Sequence, residues 1–216
     1  MPNDAITPFT LAVPQADLED LNRRIDRTRW SDAETVDDWI QGAPLAKVKA
    51  LVDHWRHRYD WRRCEAMLND WDQYKTAIDG LDIHFLHVRS KHENALPLII
   101  THSWPSSVIE FMKIIGALTD PTAHGGKAED AFHVIAPSLP GHGFSDKATE
   151  TGWGIPRIAG AWITLMRRLG YTRWVAPRGA DGLARIDADA YGNLQPGRPA
   201  SRRVRSPASA AASIAA

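Results

Sequence analysis

The chain has 216 residues, of which 44% are hydrophobic and 24% are charged, which excludes a disordered or fibrous protein and indicates a soluble globular one. Its formal net charge of +0 excludes binding to nucleic acid or to an anionic membrane through bulk charge. The single cysteine, Cys64, excludes an intrachain disulfide and favours a reducing compartment, so we expect a cytoplasmic protein. No segment approaches the roughly 18 apolar residues of a membrane span, and the N-terminus has no signal-peptide pattern, so we expect no membrane association.

The first three predicted elements are helices. In the first, Leu18, Leu21 and Ile25 recur at spacings of three and four, with acidic residues early and arginines late. Residues 44–60 repeat this amphipathic pattern, and residues 61–71 predict a third, shorter helix. We therefore predict a helical N-terminal segment over residues 1–72.

The pattern changes to strands at Gln73. Two β-rich runs, 73–78 and 81–88, are separated by Asp79-Gly80, a strong signal for a hairpin. Buried strands are then predicted at 97–102, 132–137 and 173–176, and a helix at 155–169. Another helix is predicted between the first two of these strands, with apolar residues at Val108, Ile109, Met112, Ile115 and Leu118.

This alternation of strands and helices predicts an α/β fold, with a mostly parallel sheet and helices on both faces, over residues 73–184. From residue 185 to 216 the chain is dominated by Ala, Arg, Ser, Pro and Gly, which predicts a disordered tail. Ligands of open α/β sheets bind at the carboxyl ends of the strands. Three loops stand there: THSWPSS at 101–107, PSLPGHGFSDK at 137–147 and RGADGLA at 178–184.

Three motifs together carry a family resemblance. Asp-Gly-Leu-Asp-Ile-His begins at Asp79, His-Ser-Trp-Pro at His102, and Pro-Ser-Leu-Pro-Gly-His-Gly-Phe-Ser at Pro137. In this order they resemble the epoxide hydrolases of the α/β-hydrolase fold. The preceding helical segment is similar to that of the microsomal-type enzymes in their soluble bacterial form. The resemblance covers residues 6–176 and implies the N-terminal half of an α/β-hydrolase fold behind a helical N-terminal segment.

The resemblance also implies a mechanism. In this family an aspartate in a strand-turn-helix elbow attacks the epoxide and forms an ester, which a histidine-activated water hydrolyses. The matching position here is Asp181, the candidate nucleophile. Backbone N–H groups of Trp104 and Gly182 would form the oxyanion hole, with Pro105 following a cis bond. The implied partner is a small-molecule epoxide, and no cofactor is implied.

Other polar residues favour structural interpretations. His102, directly after a buried strand, is predicted to be a structural hydrogen-bonding residue, and His142 an ordinary loop residue. His54 and His57 share a helix face, but no further ligand completes a metal site. Ser106 and Ser107 are not in a G-x-S-x-G motif, which argues against a serine esterase, and no phosphate-binding loop is present.

The chain departs from the family pattern in both loops of the predicted site, the one that contains Trp104 and the one that contains Asp181. Ser103 and Ser106 stand where the family has glycines, and a Cβ there would cost roughly 1 kcal/mol if the backbone required positive φ. Asp181 comes one residue later than an elbow pattern would place it, and Leu183 stands where a small residue is expected.

No histidine follows His142, although the family's general base follows the nucleophile. We therefore expect a gene truncated or frame-disrupted after about residue 176, with the outer edge of the strand at 173–176 left unpaired. A second hypothesis is a catalytically inactive remnant with at most a binding role. A less favoured one is another aspartate-nucleophile α/β-hydrolase, such as a haloalkane dehalogenase. The sequence carries no signal for the preferred epoxide or the oligomeric state.

Overall fold

The structure, a computed structural model, describes residues 4–177 and the backbone of residues 183–187. Contacts among the described residues form two compact units. One spans residues 11–70, and the other combines the residues before Leu11 with those from Trp71 onward. The domain boundaries predicted after residues 72 and 184 stay predictions.

The unit of residues 11–70 contains the three predicted helices, α1 (Gln15–Asp26), α2 (Leu45–His57) and α3 (Trp61–Asn69). The Arg56 guanidinium donates hydrogen bonds of 2.8 and 3.0 Å to the two carboxylate oxygens of Asp26, joining α2 to α1. Glu65 of α3 accepts a hydrogen bond of 2.8 Å from the Val13 amide. These bonds tie the residues before α1 and the end of α1 to the later helices.

The second unit is built on a seven-stranded sheet. Its strands are β1 (Ile6–Pro8), β2 (Gln73–Ile78), β3 (Leu81–Val88), β4 (Leu96–Ile99), β5 (Phe132–Pro137), β6 (Arg173–Pro177) and β7 (Leu183–Asp187). The spatial order is β1-β2-β3-β5-β4-β6-β7. Sequence patterns did not predict β1, because three residues are too few to show alternation. Pro8 is tolerated there because β1 lies at the edge of the sheet.

The strand pairing confirms the predicted α/β class. β2 and β3 form the predicted hairpin, and Asp79 and Gly80 at its turn have φ of 48° and 82°, as a type I′ turn requires. β3 runs antiparallel to β5, whereas β4 pairs in parallel with both β5 and β6. The carboxyl ends of β4, β5 and β6 therefore lie at one edge of the sheet.

The prediction of one continuous helix from Val108 through Leu118 is wrong. A 3₁₀ helix, Val108–Phe111, is followed by the short helix α4 (Ile115–Thr119). The amides of Met112 and Ile114 bond three residues back rather than four. Pairs of β-branched residues at 108–109 and 114–115 disfavour a continuous α-helix here, because their side chains are restricted against the preceding turn.

The segment after β6 also differs from the expectation. β7 pairs antiparallel with β6 from Arg173↔Asp187 to Pro177↔Leu183. The expected unpaired outer edge of β6 is therefore wrong, since pairing satisfies backbone groups that an open edge leaves without partners. The described residues after the predicted nucleophile elbow form a strand, whereas the family pattern has a helix there. Residues 185–187, which we expected to be disordered, belong to this strand.

The core of this unit lies between the sheet and α5 (Ile155–Arg168), which confirms the predicted helix at 155–169. α5 buries Ala161, Trp162, Leu165 and Met166, which lie one and four residues apart on one helix face. They pack with strand residues that are at most 4% exposed, including Ile83, Phe85, Ile99, Ile135 and Trp174.

A buried polar cluster interrupts this core at His84, which has 0% exposure. Its Nδ1 lies 2.9 Å from Ser138 Oγ and its Nε2 lies 3.0 Å from Gln73 Oε1. Phe9 and Phe144 pack edge-on against the ring. Burial, together with the charge of Lys75, lowers the pKa of His84 from 6.5 to about 3. Burial likewise lowers the pKa of His87, which is bonded to the Tyr171 hydroxyl group, to about 4.

This burial predicts a specific pH dependence of stability. The unfolded chain binds a proton at His84 as the pH falls through about 6.5, whereas the folded protein does not until about pH 3. Between pH 6.5 and 5, His84 alone should therefore remove about 2 kcal/mol from the free energy of unfolding. In His84→Gln this loss should shrink by about that amount, as measured by urea unfolding at both pH values.

The matched control is His57→Gln, which makes the same substitution on the exposed side of α2. Equal changes in the pH dependence of both variants would show that His84 is not the group responsible.

Candidate functional site

The candidate site lies where the loops after β4 and β5 meet. The Ile100 amide donates to the Ile135 carbonyl at 2.9 Å and so continues the β4–β5 pairing to the end of β4. Because the two strands are parallel, the loops 101–107 and 138–147 leave the same edge of the sheet. The structure thus confirms that these two loops lie at the carboxyl ends of their strands, as predicted.

His102 joins these two loops. It is 3% exposed, its Nε2 accepts a hydrogen bond of 3.0 Å from the Leu139 amide, and its Nδ1 donates one of 3.0 Å to the Ser103 carbonyl. These partners require the neutral tautomer with the proton on Nδ1. Since both ring nitrogens are occupied, His102 is a structural residue, as predicted, and has no free lone pair for base catalysis.

A four-residue turn after His102 presents Trp104. The Ser106 amide donates to the Ser103 carbonyl at 2.9 Å and closes the turn, and the Trp104–Pro105 bond is cis, as predicted. Trp104 is 79% exposed. Within residues 4–177, no group accepts a hydrogen bond from the Trp104 amide. This N–H group is thus available to a ligand oxygen.

The serines of this turn are accommodated without left-handed backbone. Among the described residues, Asp79 is the one non-glycine residue with positive φ, so neither Ser103 nor Ser106 is in that region. The energetic cost of a Cβ at positive φ therefore does not arise at either serine. The turn can carry side chains at both positions.

The loop 138–147 is held from the side of β3. Ser145 Oγ donates to the Ser138 carbonyl at 2.8 Å and accepts from the His84 amide at 2.9 Å. The Ser138 amide donates to the His84 carbonyl at 2.9 Å. His142, predicted to be an ordinary loop residue, is half-buried, and its Nδ1 lies 3.1 Å from the Pro140 carbonyl oxygen.

An apolar cavity of about 220 Å³ lies between α5 and the ends of β4 and β6. Ile99, Trp162 and Trp174 contribute most of the large side chains in its wall. Thr101 supplies a polar group, and its Oγ accepts a hydrogen bond of 3.0 Å from Trp162 Nε1. The wall reaches Pro177, the last residue of β6.

Of the predicted site residues, the structure places Trp104 at this edge of the sheet. Asp181 and Gly182 lie outside the described residues, so their roles stay predictions. Two described residues were not predicted from the sequence, Thr101 in the cavity wall and Glu110, which binds the turn of Ser103. Glu110 could have been found as the acidic residue in the first helical turn after the His-Ser-Trp-Pro motif.

The described part of the chain shows no group of three or more His, Cys, Asp or Glu side chains placed to hold a metal ion. No helix in that part is both long enough and apolar enough to cross a membrane.

Comparison with known families agrees with the geometry. A family profile described as "Epoxide hydrolase N terminus" matches residues 6–111. A "Putative epoxide hydrolase" of Stigmatella aurantiaca is 65% identical over 88% of this chain and 43% of its own length. "Epoxide hydrolase 1" of Oryctolagus cuniculus is 38% identical over 78% of this chain and 38% of its own length. The chain thus spans less than half the length of these relatives.

Solved structures show the same fold. The juvenile hormone epoxide hydrolase of the silkworm Bombyx mori superposes with a TM-score of 0.73 at 30% identity, over 82% of this chain and 47% of that one. The epoxide hydrolase of Aspergillus niger gives a TM-score of 0.71 at 27% identity, over 88% of this chain and 48% of that one.

The loop 138–147 gives a paired prediction at its two glycines. Gly143 has φ of +52°, and a Cβ there would lie 2.9 Å from Ser138 Oγ, whereas Gly141 has φ of +78° and open space around a Cβ. Gly141→Ala should cost about 1 kcal/mol of unfolding free energy from backbone conformation alone. Gly143→Ala should cost about 2 kcal/mol, because it also displaces the Ser138 hydroxyl group from His84. Urea unfolding at neutral pH measures both, and equal losses would contradict the contact.

Proposed function

Because the chain belongs to the epoxide hydrolase family of the α/β-hydrolase fold, we propose that it serves the hydrolysis of small-molecule epoxides to diols. The observation that carries this proposal is the Trp104 amide, which lies in the turn after β4 and has no acceptor among the described residues. An unpaired N–H group held at the carboxyl end of a parallel strand is suited to stabilise a developing oxyanion.

The proposed reaction has two steps. The Asp181 carboxylate attacks an epoxide carbon, the carbon–oxygen bond opens, and an ester with a neighbouring alkoxide forms, which takes up a proton. Water then attacks the ester carbonyl and gives a tetrahedral intermediate with a negatively charged oxygen. The amides of Trp104 and Gly182 are the proposed oxyanion-hole donors to that oxygen. A general base takes the proton of the water, and collapse of the intermediate releases the diol and regenerates the Asp181 carboxylate. In the family pattern that base is a histidine after the nucleophile, whereas no histidine follows His142 in this sequence.

The cavity between α5 and the ends of β4 and β6 supports an apolar substrate. Its wall is formed mainly by aliphatic and indole groups, which suit the hydrocarbon part of an epoxide. It extends to Pro177, four residues before Asp181 in the sequence. We place the reaction in the cytoplasm, a setting that the single free cysteine supports.

The proposal predicts diol formation that depends on Asp181. The full chain should convert a styrene-oxide-type substrate to its diol, and Asp181→Ala should lower the rate by at least about a hundredfold, because the nucleophile is lost. Chromatography of the diol measures the rate. In a single turnover in ¹⁸O-labelled water, the label should enter the protein carboxylate rather than the first diol, as an ester intermediate requires.

The matched control is Asp130→Ala, an aspartate in the separate 3₁₀ helix Ala128–Asp130, which should leave the rate unchanged. No diol, or equal diol from the wild type and Asp181→Ala, would reject the proposal and favour the non-catalytic alternative.

A further inference from the structure

The position of the Trp104 amide depends on the two residues before it. On one side His102 is fixed by the Leu139 amide, as described above. On the other side Ser103 is bonded to Glu110: the Ser103 amide donates to Glu110 Oε2 at 3.2 Å, and Ser103 Oγ donates to Glu110 Oε1 at 2.5 Å. Both oxygens of the Glu110 carboxylate therefore accept hydrogen bonds from Ser103, the residue directly before Trp104.

Ser106, at the other end of the same turn, has its hydroxyl group near this carboxylate. The hydrogen bonds from Ser103, and to a smaller extent the Ser106 hydroxyl group, lower the pKa of the Glu110 carboxyl, so the charged form is the one that holds the turn at neutral pH. Glu110 thus binds the first residue of the turn that contains Trp104. We call the two hydrogen-bonded residues, Ser103 and Glu110, the carboxylate clamp.

Glu110 is itself anchored. It belongs to the 3₁₀ helix Val108–Phe111, its amide donates to the Ser107 carbonyl at 3.1 Å, and Val108 is 2% exposed in the core. The side chains of the clamp are exposed at Ser103 and Glu110, so their hydrogen bonds contribute little to global stability. Their effect is on the position of the turn.

The clamp is a feature of this chain's own residues. Ser103 and Ser106 are the two positions at which the resembling family has glycines, and a glycine offers no hydroxyl group to Glu110. Because Ser103 does not have positive φ, its hydroxyl group adds a hydrogen-bond donor to Glu110 without left-handed backbone. An oxyanion donor misplaced by about 1 Å can cost about a hundredfold in rate, so donors of this kind need fixed positions.

We propose that Glu110 is a positioning residue that fixes the Trp104 amide, through its hydrogen bonds with Ser103, for the oxyanion that develops during ester hydrolysis. The catalytic part of this proposal rests on the proposed epoxide hydrolase function. The positional part does not, because it concerns only the turn.

Nuclear magnetic resonance of the full chain tests the positional part. Selective ¹⁵N-tryptophan labelling gives nine backbone amides, and Trp104→Phe identifies the signal of Trp104 by its loss. Glu110→Gln should move this signal, whereas Glu129→Gln, an exposed glutamate of another 3₁₀ helix, should not. The melting temperature should change by no more than about 2 °C in either variant.

A background variant separates positioning from the mere loss of a charge. In Ser103→Ala the hydroxyl group is absent, so Glu110→Gln should move the Trp104 signal less than it does in the wild type. An equal shift in both backgrounds, or no shift at all, would overturn the clamp. If Glu110→Gln does not fold, Glu110→Asp shortens the side chain so that its carboxylate no longer reaches Ser103, and an unmoved Trp104 signal has the same meaning.

Kinetics test the catalytic part. Glu110→Gln should lower kcat for the epoxide about tenfold and change KM less than about twofold, since the donor acts in the hydrolytic transition state. An unchanged kcat with a moved Trp104 signal would overturn the catalytic role while the positional role stands. A wild-type chain without turnover would instead reject the proposed function, and the resonance experiment would still decide the role of Glu110 in the turn.

Discussion

The geometry of the site depends on the hydrogen bond that the Leu139 amide donates to His102 Nε2, at 3.0 Å. It joins two loops that leave different strands and that have no ladder to hold them together beyond the strand ends. By occupying Nε2 as an acceptor, it also sets the tautomer, so that Nδ1–H points to the Ser103 carbonyl. One buried imidazole therefore determines the distance between the loops and the direction in which the turn of Trp104 begins.

The opposite side of the loop 138–147 is held by β3. In the sheet β5 lies between β3 and β4, so the loop that leaves β5 has both strands as neighbours. Ser138 donates its amide to the His84 carbonyl, and the next residue, Leu139, donates to His102. Successive amides thus bind groups on opposite sides, as they do along a strand. The burial of His84 and Ser138 follows from this arrangement, and it explains why a neutral imidazole is retained there rather than a charged one.

Sequence patterns predicted the elements that keep a single hydrophobic period over many residues. Helix α5 shows one apolar face over 14 residues, and Asp79-Gly80 specifies its turn by backbone conformation alone. β1 escaped prediction because three residues carry no period, and its pairing with β2 depends on residues far along the chain. Helical spacing at 108–118 was misleading because side chains that share a core can be brought together by a 3₁₀ turn and a short helix as well as by one long helix.

The candidate site was predictable only where a motif marks a strand end. The His102 and Trp104 positions follow from the motif, whereas the partner of Ser103 does not, since a hydroxyl group can bind any nearby acceptor. The structure shows why serine is compatible with this turn: the backbone conformation lies in the region open to all residues, so glycine is not required there. Alanine would fit the same backbone, but its methyl group could not donate to Glu110. The hydroxyl group is thus the part of Ser103 that binds Glu110. Ordering the exposed Glu110 side chain costs conformational entropy. This cost is offset only because one carboxylate binds both the amide and the hydroxyl group of Ser103.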